Sequence, residues 1–163
     1  MPIKTVYIET SVISYLASCP SRDIIAAGHQ QISHDWWATE RNNFAIYASV
    51  LVLKEASSGD LTAASARLQW LQDIPLVAIT PEAEELSGQL IQHAALPEKA
   101  AADALHIATA AYHQIDYLLT WNCKHIANAV KRSLIESVCR ELGFEPPILC
   151  TPEELLGGTT NVE

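Results

Sequence analysis

The chain has 163 residues, of which 49% are hydrophobic and 18% charged, and its formal net charge is −9 at pH 7. A chain of that size and balance is neither disordered nor fibrous, and it can bury a core as one domain without staples. No apolar run approaches the roughly 20 residues that cross a bilayer and nothing resembles a cleavable leader, so a soluble cytoplasmic protein without membrane contact is expected.

In chain order, IKTVYIE (3–9) reads as a first strand, and a helical pattern over about 22–41 keeps Ile25, His29, Ile32 and Trp36 on one face. NFAIYAS (43–49) reads as a second strand, followed by a helix carrying Glu55 and by another after Asp60 that aligns Leu61, Ala64, Leu68 and Leu71. PLVAIT (75–80) is a third strand, and helices are expected over 82–95 and 98–113. DYLLTW (116–121) and PPILC (146–150) are the fourth and fifth strands, with a helix over 125–142 between them and a short helix over 152–156. End signals agree: Thr80-Pro81 is a cap followed by proline at the first helical position, Gly143 is a C-terminal glycine, and Thr151-Pro152-Glu153-Glu154 is a capping box. These elements make a single domain over residues 1–156, with 157–163 as a flexible tail.

Near-continuous apolar strands alternating with helices imply a parallel sheet covered on both faces. In such sheets ligands gather beyond the carboxyl ends of strands, where the strand order reverses. Glu9 ends the first strand and Asn122 follows the fourth, so the order 3-2-1-4-5, which the sequence permits, would bring both into one crevice. The cysteines Cys19, Cys123, Cys139 and Cys150 form no C-x-x-C pair, and they read as reduced and mostly buried thiols. Trp36, Trp37 and Trp70 read as core or dimer-interface aromatics.

The helix EKAAADALHIATAAYH is apolar nearly all round yet contains Asp103. A carboxylate in that setting needs a counter-ion, a metal or solvent. Lys99 and His106, four residues before and three after, offer the plain pairing. His106 itself reads as a hydrogen-bonded core residue. Glu9, Glu55, Asp103 and Asn122 each place side-chain oxygens against apolar sequence, the donor pattern that Mg²⁺ or Mn²⁺ requires. Clustered carboxylates repel one another unless a cation neutralises them, and such a cation activates water for phosphodiester cleavage. Although the overall charge opposes nucleic acid, residues 121–140 hold Lys124, Lys131, Arg132 and Arg140 against Glu136 alone.

IETSVISYL, a mid-chain glutamate, DALHIATA and LLTWNCKHIAN, in that order, resemble the PIN domain and within it the VapC-type ribonuclease toxins of toxin-antitoxin pairs; the likeness runs from about residue 3 to 151. The resemblance implies a three-layer α/β/α sandwich around a five-stranded parallel sheet, and metal-dependent endonucleolytic cleavage of RNA. It sets Glu9, Glu55, Asp103 and Asn122 at the family's four acidic or amide positions, with Asp103 and Glu9 as direct ligands of Mg²⁺ or Mn²⁺ and Glu55 and Asn122 acting through water. Thr10 and Ser11 match the supporting hydroxyls. Lys124, His125, Lys131 and Arg132 are then expected to begin the helix after the fourth strand and to hold substrate phosphates. A cognate antitoxin and a homodimer are the implied protein partners.

One position departs from the pattern. The first is ordinarily aspartate and here is Glu9, one methylene longer, so that arm must fold back, bind through water or shift the ion. A PIN-like module that binds RNA or protein without cutting is therefore the alternative. A phosphohydrolase with an aspartyl nucleophile is disfavoured, because Glu9 and Ser11 stand where its two aspartates would.

Overall fold

The computed structural model describes residues 2–157. Strand β1 (Lys4–Ile8) leads into helices α1 (Thr10–Ala17) and α2 (Ile24–Glu40), and β2 (Phe44–Ser49) into α3 (Val50–Ala56) and α4 (Leu61–Leu71). Then come β3 (Leu76–Val77), α5 (Pro81–Gln92), α6 (Ala101–Tyr112), β4 (Tyr117–Leu119), α7 (Ala129–Glu141) and β5 (Ile148–Cys150). The strands form one parallel sheet in the order β3-β2-β1-β4-β5. The chain steps outward from β1 to β3, then returns across the sheet to β4 and β5. Right-handed crossovers in opposite directions deposit α1 to α4 on one face and α5 to α7 on the other. The packing agrees, since α1 lies against α2, α3 and α4, while α5 lies against α6 and α7.

Local chemistry starts the helices where the sequence signals them. Asp23, Ser49, Asp60, Thr80 and Asn128 each cap a helix by accepting a hydrogen bond from a backbone N–H of its first turn. Gly143 ends α7 at φ +86°, and its N–H and that of Phe144 reach back to the carbonyls of Arg140 and Cys139, the pattern of a glycine-terminated helix. Tyr7, Ile8, Ile13, Leu90, Ile107, Leu118 and Leu119 are fully buried between the layers, as is Trp36.

The structure corrects several boundaries. β3 is shorter than the 75–80 run, and α7 starts at Ala129 rather than 125. Asn122 accepts from the His125 N–H, and Asn128 caps Val130, so asparagine side chains hold residues 123–128 in turns instead of helix. Residues 152–157 are turns as well, although Thr151 and Glu154 do exchange the two bonds of the capping box. Cys139 and Cys150 are buried but Cys19 and Cys123 are exposed, and all four are free thiols. Of the expected tail, 158–163 lie outside the described residues; Gly157 donates its N–H to Glu40.

The seam between β1 and β4 is fastened at its start by Asp116. One carboxylate oxygen accepts from the Thr5 N–H at 2.8 Å and the Thr5 hydroxyl at 3.0 Å, while the Asp116 N–H returns a bond to that hydroxyl at 2.9 Å. Asp116→Ala leaves the Thr5 N–H unpaired, and urea denaturation should find a loss of about 1–3 kcal/mol. Asp116→Asn, which keeps an acceptor, should recover most of that loss.

Candidate active site

β1 and β4 stop together because their pairing ends at Ile8 opposite Leu119, and the next residues turn toward each other. The Glu9 N–H still reaches the Leu119 carbonyl at 3.0 Å. Its side chain then folds back. One oxygen accepts from the Ser11 hydroxyl at 2.5 Å and the Thr120 hydroxyl at 2.6 Å, and the other accepts from the Ser11 N–H at 3.1 Å, so Glu9 is the N-cap of α1. Ser11 in turn accepts from the Trp121 N–H at 2.8 Å, and Thr120 from the Asn122 N–H at 2.9 Å. The carboxylate is 6% exposed and laced to both strand ends.

A second carboxylate arrives from α3. Ser49 caps that helix at the end of β2, and Glu55 sits in its last turn. Glu55 Oε1 accepts from the Thr10 hydroxyl at 2.6 Å and lies 2.6 Å from His106 Nε2. The other ring nitrogen, Nδ1, is 2.7 Å from the Tyr7 hydroxyl, which is 2.7 Å from Ser49 Oγ. Burial favours the neutral form of Glu55, but the hydrogen bonds from His106 and Thr10 outweigh it and hold the carboxyl below its ordinary value. Burial pushes the Tyr7 phenol far above its usual range, so it keeps its proton.

Ligand atoms of Glu9, Glu55 and His106 lie within 4.8 Å of one another, in the crevice where the strand order reverses. Two of the three, Glu9 and Glu55, are ligands expected from the sequence, whereas Asp103 lies outside this group. His106 was read as a hydrogen-bonded core residue; it is indeed fully buried, but its partner is Glu55, which makes it part of the site. Asp103 is half-buried three residues earlier on α6, hence on the same side of the helix, and makes no hydrogen bond or ion pair among the described residues. The plain pairing with Lys99 or His106 is absent there. Asn122 spends its carbonyl oxygen on the His125 N–H, 3.0 Å away.

The basic flank divides. Lys124 and His125 occupy the turn before α7, not its first residues as expected, while Lys131 and Arg132 lie in its first turn. Arg132 donates to the Leu149 carbonyl at 3.0 Å, which ties it to β5. Lys124 and Lys131 form no ion pair among the described residues. Burial lowers the His125 pKa, opposed by the charge of Asp103 and reinforced by Lys124, Lys131 and Lys99. Trp36 is core, whereas Trp37 and Trp70 are half-buried and meet edge to face at 5.3 Å.

A family model described as PIN domain matches residues 6–128. VapBC2 from Rickettsia felis, solved bound to a DNA fragment from its promoter, aligns with a TM-score of 0.59 and 16% identity over 90% of this chain and 98% of that one. VapC20 from Mycobacterium tuberculosis, a toxin that cleaves the sarcin-ricin loop, aligns with a TM-score of 0.59 and 15% identity over 88% and 100%. At those identities the likeness is one of fold. No curated protein matches the chain.

Ser11 joins the two strand ends through its hydroxyl. Ser11→Ala should cost about 1–3 kcal/mol in chemical denaturation, because the Trp121 N–H loses its acceptor and Glu9 a donor. Ser11→Thr should cost less.

Proposed function

From the premise that this chain belongs to the PIN domain family, we propose that it is a divalent-metal-dependent endoribonuclease of the VapC toxin type. The observation that carries the reading is the meeting of Glu9, Glu55 and His106, whose ligand atoms lie within 4.8 Å of one another; Asp103, three residues before His106 on α6, would join the two carboxylates at the ion. The donors suit a hard cation: Glu9, Glu55 and Asp103 bring carboxylate oxygens, and Asp103 brings both of its own without a protein partner among the described residues. Asp103 and Glu9 would hold Mg²⁺ or Mn²⁺ directly, with Glu55 and Asn122 acting through water. A bound ion would supply the charge that activates water and offsets the charge developing on phosphate.

The protein's own groups do the rest. Ser11 and Thr120 hold Glu9 against rotation and Thr10 holds Glu55; Lys124 and Lys131 would neutralise the RNA backbone, with His125 beside them as a hydrogen-bonding partner for phosphate. Arg132 spends one N–H on the Leu149 carbonyl and keeps its charge and remaining donors for the same task. The net charge of −9 suits a basic protein partner, in keeping with a cognate antitoxin, and a homodimer belongs to the same proposal. No helix among the described residues is long and apolar enough to cross a membrane, in keeping with a cytoplasmic site of action. We take residues 1–156 as one domain. The folded-back Glu9, with its oxygens committed to Ser11 and Thr120, favours the second reading, a binding module without cleavage.

Incubation of a structured RNA pool with the purified protein should give cutting with Mg²⁺ or Mn²⁺. EDTA should abolish it, and Asp103→Asn should lower the rate by about 100-fold or more. No cutting by folded protein with either ion would sink the nuclease, and activity created by Glu9→Asp would establish the binding module. Lys131→Gln and Arg132→Gln should each lessen the salt dependence of RNA binding by about 0.7 in the logarithmic slope.

A further inference from the structure

The proposed reaction leaves the buried arm of the site, His106 with Tyr7 and Ser49, without a task. Tyr7 comes from β1, Ser49 from the end of β2 and His106 from α6, and all three are fully buried. We propose that His106 is a positioning residue: clamped by Tyr7, it donates its Nε2–H to Glu55 Oε1 and so decides which oxygen of that carboxylate is presented to the metal, without ligating the metal itself. This rests on the reading of Glu55 as part of a metal site.

The hydrogen bonds fix the direction of the chain. A carboxylate oxygen 2.6 Å from Nε2 requires the proton to be on that nitrogen. In a neutral imidazole the lone pair is then on Nδ1, so the Tyr7 hydroxyl donates there across 2.7 Å. The Tyr7 oxygen is left to accept from Ser49, 2.7 Å away, and Ser49 itself accepts from the Val52 N–H at 3.3 Å. Every donor points toward Glu55, and each bond polarises the next. While Nε2 carries that proton, it offers no lone pair to a metal. Thr10 and His106 both converge on Oε1, while Oε2 makes no hydrogen bond among the described residues. Oε2 is thus the oxygen left for the ion or its water. The same arm carries Glu55 from α3 to α6, across the two helical layers that the sheet separates.

The test has two readouts that do not depend on RNA. Long-range proton–nitrogen NMR of full-length protein labelled in histidine should find His106 in the Nε2–H tautomer, and Tyr7→Phe should disturb it. Finding the Nδ1–H tautomer in the wild type would overturn the proposal. Mn²⁺ titrations followed by electron paramagnetic resonance should give His106→Leu an affinity about 10–100-fold weaker than wild type. His106→Gln, which keeps an N–H donor toward Glu55, should recover most of it, and Tyr7→Phe should weaken it several-fold. A nitrogen hyperfine coupling from the ring to bound Mn²⁺ would make His106 a ligand and overturn the proposal, as would wild-type affinity in a folded His106→Leu. If His106→Gln binds as poorly as His106→Leu while both keep the wild-type circular dichroism, hydrogen-bond donation is not the role. The expected pattern of Mn²⁺ affinities with no RNA cutting would sink the nuclease and leave the positioning role standing.

Discussion

Burying the Glu9 carboxylate at the end of β1 costs free energy that hydrogen bonds or a cation must offset. Three protein donors converge on it, and bonds to a charged group contribute on the order of 1.5–3 kcal/mol each. They come from both sides of the β1–β4 seam. Ser11 and Thr120 are therefore more than local decoration, because each also accepts a backbone N–H from the segment after β4. The geometry of the crevice follows from satisfying that one carboxylate.

The extra methylene of Glu9 finds its place in the same arrangement. A carboxylate one carbon longer reaches back over the first turn of α1 and caps it through the Ser11 N–H. The residue thus has a structural task as well as the one proposed for it in metal binding, and the two compete for its oxygens. Glu55 is under a different constraint. Its partners approach a single oxygen, from Thr10 on one side and His106 on the other, so the opposite oxygen keeps its lone pairs. Asp103 has neither kind of restraint among the described residues. These three carboxyl groups, alike in chemistry, differ in how much of their hydrogen-bonding capacity the protein has already used.

Charge is distributed to match. An acidic surface repels polyanions at long range, yet Lys124 and Lys131 follow one another in the turn before α7 and in its first turn. A phosphate drawn there would meet ammonium groups that form no ion pair among the described residues. Arg132, which the sequence places in the same basic run, faces the sheet and holds the Leu149 carbonyl. Spacing along a chain assigns charges to a segment, but a helix seven or more residues long points them in different directions.

The layered parallel architecture, and Glu9 and Glu55 as polar residues that end or follow apolar runs, were legible because they depend on local signals: apolar runs of strand length, caps such as Thr80-Pro81, and polar residues that interrupt apolar stretches. Periodicity and capping are properties of neighbours in sequence, so a chain carries them before it folds. The start of α7 was misjudged because Asn122 and Asn128 use side-chain bonds to hold turns where composition favoured helix. The role of His106 was not legible, since its partners Tyr7 and Glu55 are 99 and 51 residues away along the chain. The commitment of Arg132 to β5 is likewise a contact between segments. By itself, the sequence determined which residue types end each strand and which helices must be buried; the tertiary structure alone decided which oxygens of those residues remain free, because hydrogen bonds from distant segments are made only when the sheet has closed.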